Sequence, residues 1–103
     1  MSPQRTVLVG DGVAFLERGP LPPDHAIVTS MPDVSEVPLE LDAWRRWFSR
    51  SAELACAAVD AGSVAVFFQS DVVSDGRWID KGYLVHAGAE RAGAECLFHR
   101  IVC

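Results

Sequence analysis

Residues Ala26–Asp33 read Ala-Ile-Val-Thr-Ser-Met-Pro-Asp, an apolar run that breaks into a polar turn. The unbroken Ala-Ile-Val core predicts a strand over His25–Thr29 that is buried on both faces, as in a parallel sheet. Loops at the carboxyl ends of such strands hold most ligands and reactive groups of α/β proteins. The turn from Ser30 to Asp33 is therefore where a functional site is first expected.

Strand and helix signals alternate on both sides of this turn. The segments between the apolar runs are long enough for helices, which predicts a mostly parallel sheet covered by helices. The chain of 103 residues allows a single domain over residues 1–103. We expect strands at Thr6–Val9, His25–Thr29, Ser63–Gln69 and Cys96–Val102, and helices around Val13–Leu16, from Leu41 to about Asp60, and over Arg77–Ala92 with a cap in the Ser74-Asp75-Gly76 loop.

Composition argues against several broad classes of function. The formal net charge of −5 disfavours nonspecific electrostatic binding to nucleic acid, although it leaves room for a local cationic patch. No apolar stretch is long enough to span a bilayer and no signal-type core follows the N-terminus, so a cytoplasmic location is the simplest expectation. Three widely spaced cysteines and three scattered histidines favour reduced thiols and no metal site.

The long predicted helix carries two kinds of side chain with functional interest. Its aromatic residues, among them Trp44 and Trp47, recur at helical spacing, which favours packing in the core over a base-stacking surface. Arg45, Arg46 and Arg50 form a small basic run on the same helix. Such a run is usually a solvated face, and in an enzyme that acts on nucleic acid it meets phosphates.

The order of these signals resembles the N-terminal half of a circularly permuted S-adenosylmethionine-dependent methyltransferase of the kind that modifies amino groups on nucleic-acid bases. Such proteins begin with a strand that ends in Gly-Asp, followed by a short helix and an apolar strand that ends in Thr-Ser-Pro-Pro-Tyr or a variant. A long helix with aromatic residues follows, then a strand preceded by glycine, and then a later helix that carries a Trp and a Lys. The matching pieces here are residues 7–12, residues 27–33, Trp44, Trp47, residues 62–68, Trp78 and Lys81.

The resemblance implies a Rossmann-like methyltransferase sheet, S-adenosylmethionine as cofactor and a DNA or RNA partner. It implies that the turn after the second strand holds the acceptor amino group, and that the Gly-Asp pair lies near the adenine ring of the cofactor. The implied catalytic residues are Ser30, Pro32 and Asp33, the cofactor-binding residues are Asp11 and Gly10, and the substrate-binding residues are Trp44, Arg46, Gln69 and Asp71.

Two departures from the family pattern affect the substrate and the cofactor. Met31 replaces the first proline of the motif and Asp33 replaces the aromatic residue that stacks on an extruded base. Asp33 cannot stack, but a carboxylate can accept a hydrogen bond or a proton from a substrate. The glycine-rich cofactor turn of the family has no match, so we expect it beyond Cys103, with this chain the N-terminal part of a larger domain.

Two other interpretations remain open. In the first, the chain is a small non-catalytic α/β binding or interaction domain, and the Ser30–Asp33 turn is an ordinary capped turn. In the second, it is an unpaired half that completes its sheet with a missing C-terminal half or with a second copy, because an open sheet edge tends to pair. Lys81 is expected to be a solvated charge on the last helix.

Overall fold

A computed structural model describes residues 4–101 as a small α/β domain with short strands and one long helix. Four strands and three helices follow one another, with a single 3-10 turn after the first strand. In chain order they are α1 (Gly12–Glu17), β1 (Ile27–Thr29), the 3-10 turn (Val34–Glu36), α2 (Leu41–Ala58), β2 (Ala65–Phe67), β3 (Val72–Ser74), β4 (Arg77–Ile79) and α3 (Lys81–Arg91).

The core lies along one face of α2. Trp44 and Phe48, one turn apart, are fully buried, and their ring centroids lie 4.9 Å apart at a tilt of 42°. Ile79 from β4 and Leu84 from α3 complete this cluster. Because the buried positions of α2 recur every three or four residues, the predicted amphipathic helix is confirmed.

α2 and α3 pack with their backbones close together at Gly88. A Cβ atom at this position would clash with the carbonyl oxygen of Ser49, and it would lie 2.9 Å from the backbone nitrogen of Glu53. The buried Ser49 hydroxyl donates to the carbonyl of Leu84 at 3.0 Å. Glycine is therefore required here by the close approach of the two helices.

β1 and β2 form a parallel pair with Ile27 opposite Ala65 and Thr29 opposite Phe67. This confirms the α/β class and the parallel direction of the two inner strands, although each is shorter than predicted. The expected four-stranded, mostly parallel sheet is not present within residues 4–101, where β1 and β2 are the only strands of their sheet.

The two outer strands of that prediction are wrong over the described residues. Thr6–Val9 and residues 96–101 are irregular, and the side chains of Val9 and Ile101 are exposed. Val102 lies outside the described residues. β-branched residues fit a strand, but a strand also needs a hydrogen-bonding neighbour and apolar cover, which neither segment has in the described chain.

The start of the last predicted helix is also corrected. β3 and β4 form an antiparallel hairpin where that helix was expected to begin. Asp75 and Gly76 have φ values of 51° and 76°, as a two-residue hairpin turn of the type favoured by Asp-Gly requires. α3 instead begins at Lys81, and its N-cap is Asp80, whose carboxylate accepts from the backbone nitrogen of Tyr83 at 3.0 Å.

The remaining expectations concern the first helix, the thiols and the membrane. The short first helix is confirmed as α1. Cys56 and Cys96 are free thiols, and Cys103 lies outside the described residues. No helix in residues 4–101 combines the length and the apolarity that crossing a bilayer demands.

Candidate functional site

The turn after β1 is tied to the end of β2 through Gln69. The Gln69 side chain accepts from the backbone nitrogen of Met31 at 2.7 Å and donates to the carbonyl of the same residue at 3.2 Å. A single amide therefore satisfies both backbone groups of Met31 across 38 residues of sequence. The polar residues that follow β1 and β2 lie side by side, because the carboxyl ends of parallel strands meet at the same edge of a sheet.

The next residue of the turn is held by the core. The indole nitrogen of Trp44 donates to the carbonyl of Pro32 at 3.2 Å, and Trp44 is 0% exposed. A buried indole usually finds such a partner because an unpaired N–H in the core is costly. Trp44 has no exposed surface that a ligand could contact. The expected substrate-binding role of Trp44 is therefore not supported, and its indole instead stabilises the turn.

Asp33, the last residue of the turn, pairs with a buried cation. Its Oδ1 lies 3.3 Å from the Lys81 ammonium, and Lys81 is only 4% exposed. The same oxygen accepts from the backbone nitrogen of Val34 at 2.9 Å, while Glu36 accepts from the Asp33 backbone at 3.0 Å. Asp33 thus caps the 3-10 turn as well as neutralising a desolvated charge.

The burial of Lys81 contradicts the expectation of a solvated charge. Lys81 is the first residue of α3, where the hairpin and the Asp33 turn both reach it. It is also the only lysine of the chain. The sequence signal that points to it is weak: a lone lysine directly after Ile79-Asp80, at the junction of an apolar run and a cap.

Asp71 joins the same junction from the other side. Its Oδ2 accepts from the indole nitrogen of Trp78 at 3.2 Å, and its Oδ1 accepts from the backbone nitrogen of Lys81 at 2.9 Å. The two acidic residues expected at the site, Asp33 and Asp71, therefore both bind Lys81. The contacts of Asp71 hold the hairpin against the start of α3.

A cavity of about 450 Å³ opens beside the turn, between α1, β1 and α2. It brings Asp11 together with Ser30 and Pro32, and its walls are mostly apolar, with Phe15 and Trp47 among them. Asp11 caps α1 by accepting from the backbone nitrogen of Val13 at 2.9 Å. Gly10, Asp33, Gln69 and Asp71 do not line this cavity.

Arg46 is separated from these residues. It lines a second cavity of about 430 Å³ between α2 and α3, together with Arg50, Arg91 and Glu53. The hydrogen bond from Arg91 lowers the pKa of the Glu53 carboxyl below its ordinary value, an effect that desolvation opposes and Arg50 reinforces. The structure thus divides the expected site residues between two surfaces.

Comparisons with known proteins add no family to this geometry. The chain matches no protein-family model, no curated protein and no solved structure. Within residues 4–101, no group of three or more His, Cys, Asp or Glu side chains is placed to hold a metal ion.

Proposed function

We propose that the chain is the acceptor-binding part of an S-adenosylmethionine-dependent methyltransferase with a Rossmann-like sheet, and that its acceptor is an amino group of a DNA or RNA base. The observation that carries the proposal is the cavity shared by Asp11, Ser30 and Pro32 at the carboxyl end of β1. Asp11 is 19 or more positions away from Ser30 and Pro32 in the sequence. The cavity volume of about 450 Å³ falls within the usual range of small-molecule sites, which are largely apolar with a few polar groups.

Asp11 is suited to the cofactor side of the cavity. One carboxylate oxygen, Oδ1, caps α1 through Val13 and Ala14, which fixes the side chain at the rim. The capping contacts also set the orientation of the other oxygen, Oδ2. In the proposed complex Oδ2 accepts a hydrogen bond from the adenine amino group. S-adenosylmethionine supplies the methyl group when bound.

Ser30 and Pro32 are suited to the acceptor side. The Pro32 carbonyl accepts one hydrogen bond from Trp44, and a carbonyl oxygen has a second lone pair for an acceptor amino group. Gln69 holds the intervening Met31 at both its backbone groups, which fixes the turn. A fixed turn favours catalysis by positioning, because the acceptor is held in line before reaction.

Asp33 lies at the end of the turn with its side chain 23% exposed. Asp33 does not line the cavity but follows Pro32, which does. Its Oδ1 already binds Lys81 and Val34, so in the proposed complex a base that extends past Pro32 donates its hydrogen bond to Oδ2. Lys81 acts through Asp33 and is a positioning residue. In the proposed enzyme a further segment completes the sheet and brings the glycine-rich cofactor turn.

The test is calorimetric titration of the full-length protein with S-adenosylmethionine, using Asp11→Asn. Asparagine keeps the cap on α1 but replaces the second oxygen by an NH₂ group, which cannot accept. We expect measurable binding by the unchanged protein and about tenfold weaker binding by Asp11→Asn, since a hydrogen bond to a charged group contributes about 1.5–3 kcal/mol. Asp60→Asn, an exposed carboxylate away from the cavity, is the matched control.

Absence of binding by the full-length protein would overturn the proposal. Equal affinity of Asp11→Asn and Asp60→Asn would remove Asp11 from the cofactor site. Methyl transfer is then measured with Asp33→Ala, for which we expect loss of turnover with cofactor affinity retained.

The interaction-domain interpretation has one observation in its favour. Met31, Pro32 and Asp33 are each bound by another part of the chain, so the turn has a structural role whether or not it binds a substrate. In that case the full-length protein neither binds the cofactor nor transfers a methyl group. Asp33→Ala then changes only the stability of the fold, because it removes the carboxylate that pairs with Lys81.

A further inference from the structure

The second cavity lies on the opposite side of α2 from the turn and concentrates positive charge. Four of the eight arginines of the chain line it, together with a single acidic residue, although the whole chain has a formal net charge of −5. The four arginines are Arg45, Arg46, Arg50 and Arg91.

The helices arrange these side chains as two facing rows. Arg46, Arg50 and Glu53 follow one another at intervals of four and three along α2, so they share a face. Tyr83 and Arg91 lie eight positions apart on α3, which places them on one face two turns apart. The result is a groove with cations on both sides and an aromatic ring near one end.

Part of the positive charge is held in place. Glu53 lies 3.0 Å from a guanidinium nitrogen of Arg50 and 3.0 Å from one of Arg91, and Arg91 also donates to the Ser49 hydroxyl at 2.7 Å. The Arg91 contacts cross the α2–α3 interface, whereas the Arg50–Glu53 pair lies within α2. Among residues 4–101, Arg45 and Arg46 form no ion pair, so their charges are available to an anionic ligand.

An aromatic ring stands beside this charge. Tyr83 lines the groove and is 67% exposed, whereas a large aromatic side chain is usually well covered in a monomer. A cationic groove with an exposed aromatic ring is the combination that binds single-stranded nucleic acid: the arginines contact phosphates and the ring stacks on a base.

We propose that the groove between α2 and α3 binds the phosphodiester backbone of a single-stranded nucleic acid, with Tyr83 stacked on one base. This inference rests on the proposed function, in which the substrate is a nucleic acid. It adds a second surface, outside the methyl-transfer cavity, that holds the substrate. The strongly acidic remainder of the chain repels a polyanion, so binding is confined to the groove and falls steeply with salt.

The test is fluorescence anisotropy of the full-length protein with labelled oligo(U) and oligo(dT) of about 12 nucleotides, titrated over salt concentrations from about 50 to about 300 mM. The two oligonucleotides separate RNA from DNA as the source of the phosphates. The main variant is Arg45→Gln/Arg46→Gln, which removes charge without breaking an interhelical contact. Its control is Arg77→Gln/Arg100→Gln, which removes the same charge from exposed positions outside the groove.

We expect the groove variant to bind about tenfold more weakly at low salt, and the slope of log K against log salt to fall by about 1.4, since each phosphate neutralised on a single strand contributes about 0.7. The control variant should change affinity by less than about threefold. Tyr83→Ala should weaken binding at least about fivefold, the effect of losing one base–aromatic stack, while Tyr83→Phe should keep the affinity.

Equal weakening by the groove and control variants would overturn the proposal, because it would mean that only net charge matters. Binding of anionic vesicles but not of either oligonucleotide would also overturn it, as would equal affinity for a duplex of the same length. Calorimetry with S-adenosylmethionine on the same variants separates the two proposals. Retained cofactor binding with unaltered oligonucleotide affinity rejects the groove alone, whereas oligonucleotide binding without cofactor binding rejects the methyltransferase alone.

Discussion

Replacement of Gly88 by alanine tests whether the close approach of α2 and α3 sets the stability of the domain. The added methyl group would clash with the Ser49 carbonyl oxygen and would lie 2.9 Å from the Glu53 backbone nitrogen and 3.1 Å from the Ala52 Cβ atom. Two of these three atoms belong to the backbone of α2, which cannot rotate away as a side chain can. The helices must therefore separate, and the buried contacts of the core loosen with them.

The size of the effect follows from two opposing contributions. Inserting a methyl group into a close-packed contact costs about 1–3 kcal/mol, and here the larger values apply because the obstacle is backbone. Alanine in place of glycine within a helix gives back about 1 kcal/mol. We expect the free energy of unfolding to fall by about 1–2 kcal/mol, which lowers the Tm of a domain of this size by about 4–16 °C.

Gly82→Ala is the matched control, because it makes the same substitution in the same helix. Its Cβ atom would lie 3.0 Å from His99 Cε1 and 3.2 Å from Asp80 Oδ1, both of which are ends of side chains. His99 is exposed and can move, whereas Asp80 Oδ1 is the cap of α3 and is more constrained. The gain from helix propensity is therefore partly offset, and stability is unchanged or rises by less than about 0.5 kcal/mol.

Urea denaturation followed by circular dichroism measures both variants against the unchanged chain. Gly88→Ala should shift the midpoint downward and Gly82→Ala should leave it unchanged or higher. Equal midpoints for the two variants would show that α2 and α3 are not packed at this distance, and the same result would remove the groove between them.

Three other substitutions test the contacts around the site. Lys81→Met should destabilise the fold by about 2–3 kcal/mol, which is less than for a fully buried pair because the Asp33 carboxylate still reaches water. Adding Asp33→Asn should recover part of this loss, as measured in a double-mutant cycle by urea denaturation. The lowered pKa of Glu53 stabilises the fold above about pH 4.3, the ordinary pKa of a Glu carboxyl, and this contribution is lost as the pH falls through the lower pKa of the folded state. The Tm of Glu53→Gln should therefore depend less on pH than the Tm of the unchanged protein below about pH 4.3. Asp80→Ala should cost about 0.5–2 kcal/mol in the same assay through loss of the α3 cap, and an unchanged midpoint would argue against the hairpin-to-helix junction.

The sequence predicted which residues follow the parallel strands, but it did not predict which neighbours those residues contact. The sequence predicted parallel strands that end at Thr29 and Gln69, and Gln69 does bind the Met31 backbone beyond β1. It also grouped Arg46 with the turn, whereas the helix carries that side chain to the α2–α3 groove. Helical periodicity reports which residues share a face, but it does not report which neighbour each face meets.

The sequence by itself determined the features that depend on neighbouring residues. The amphipathic spacing of α2, the apolar runs of β1 and β2, and the turn at Ser30–Asp33 follow from local preference and from the need to cover apolar side chains. Within the described residues, only the tertiary structure decided that Thr6–Val9 does not pair as a strand and that Lys81 is buried against Asp33. Strand pairing and side-chain burial depend on groups brought together from distant parts of the chain. The local preferences of a single segment therefore do not predict them.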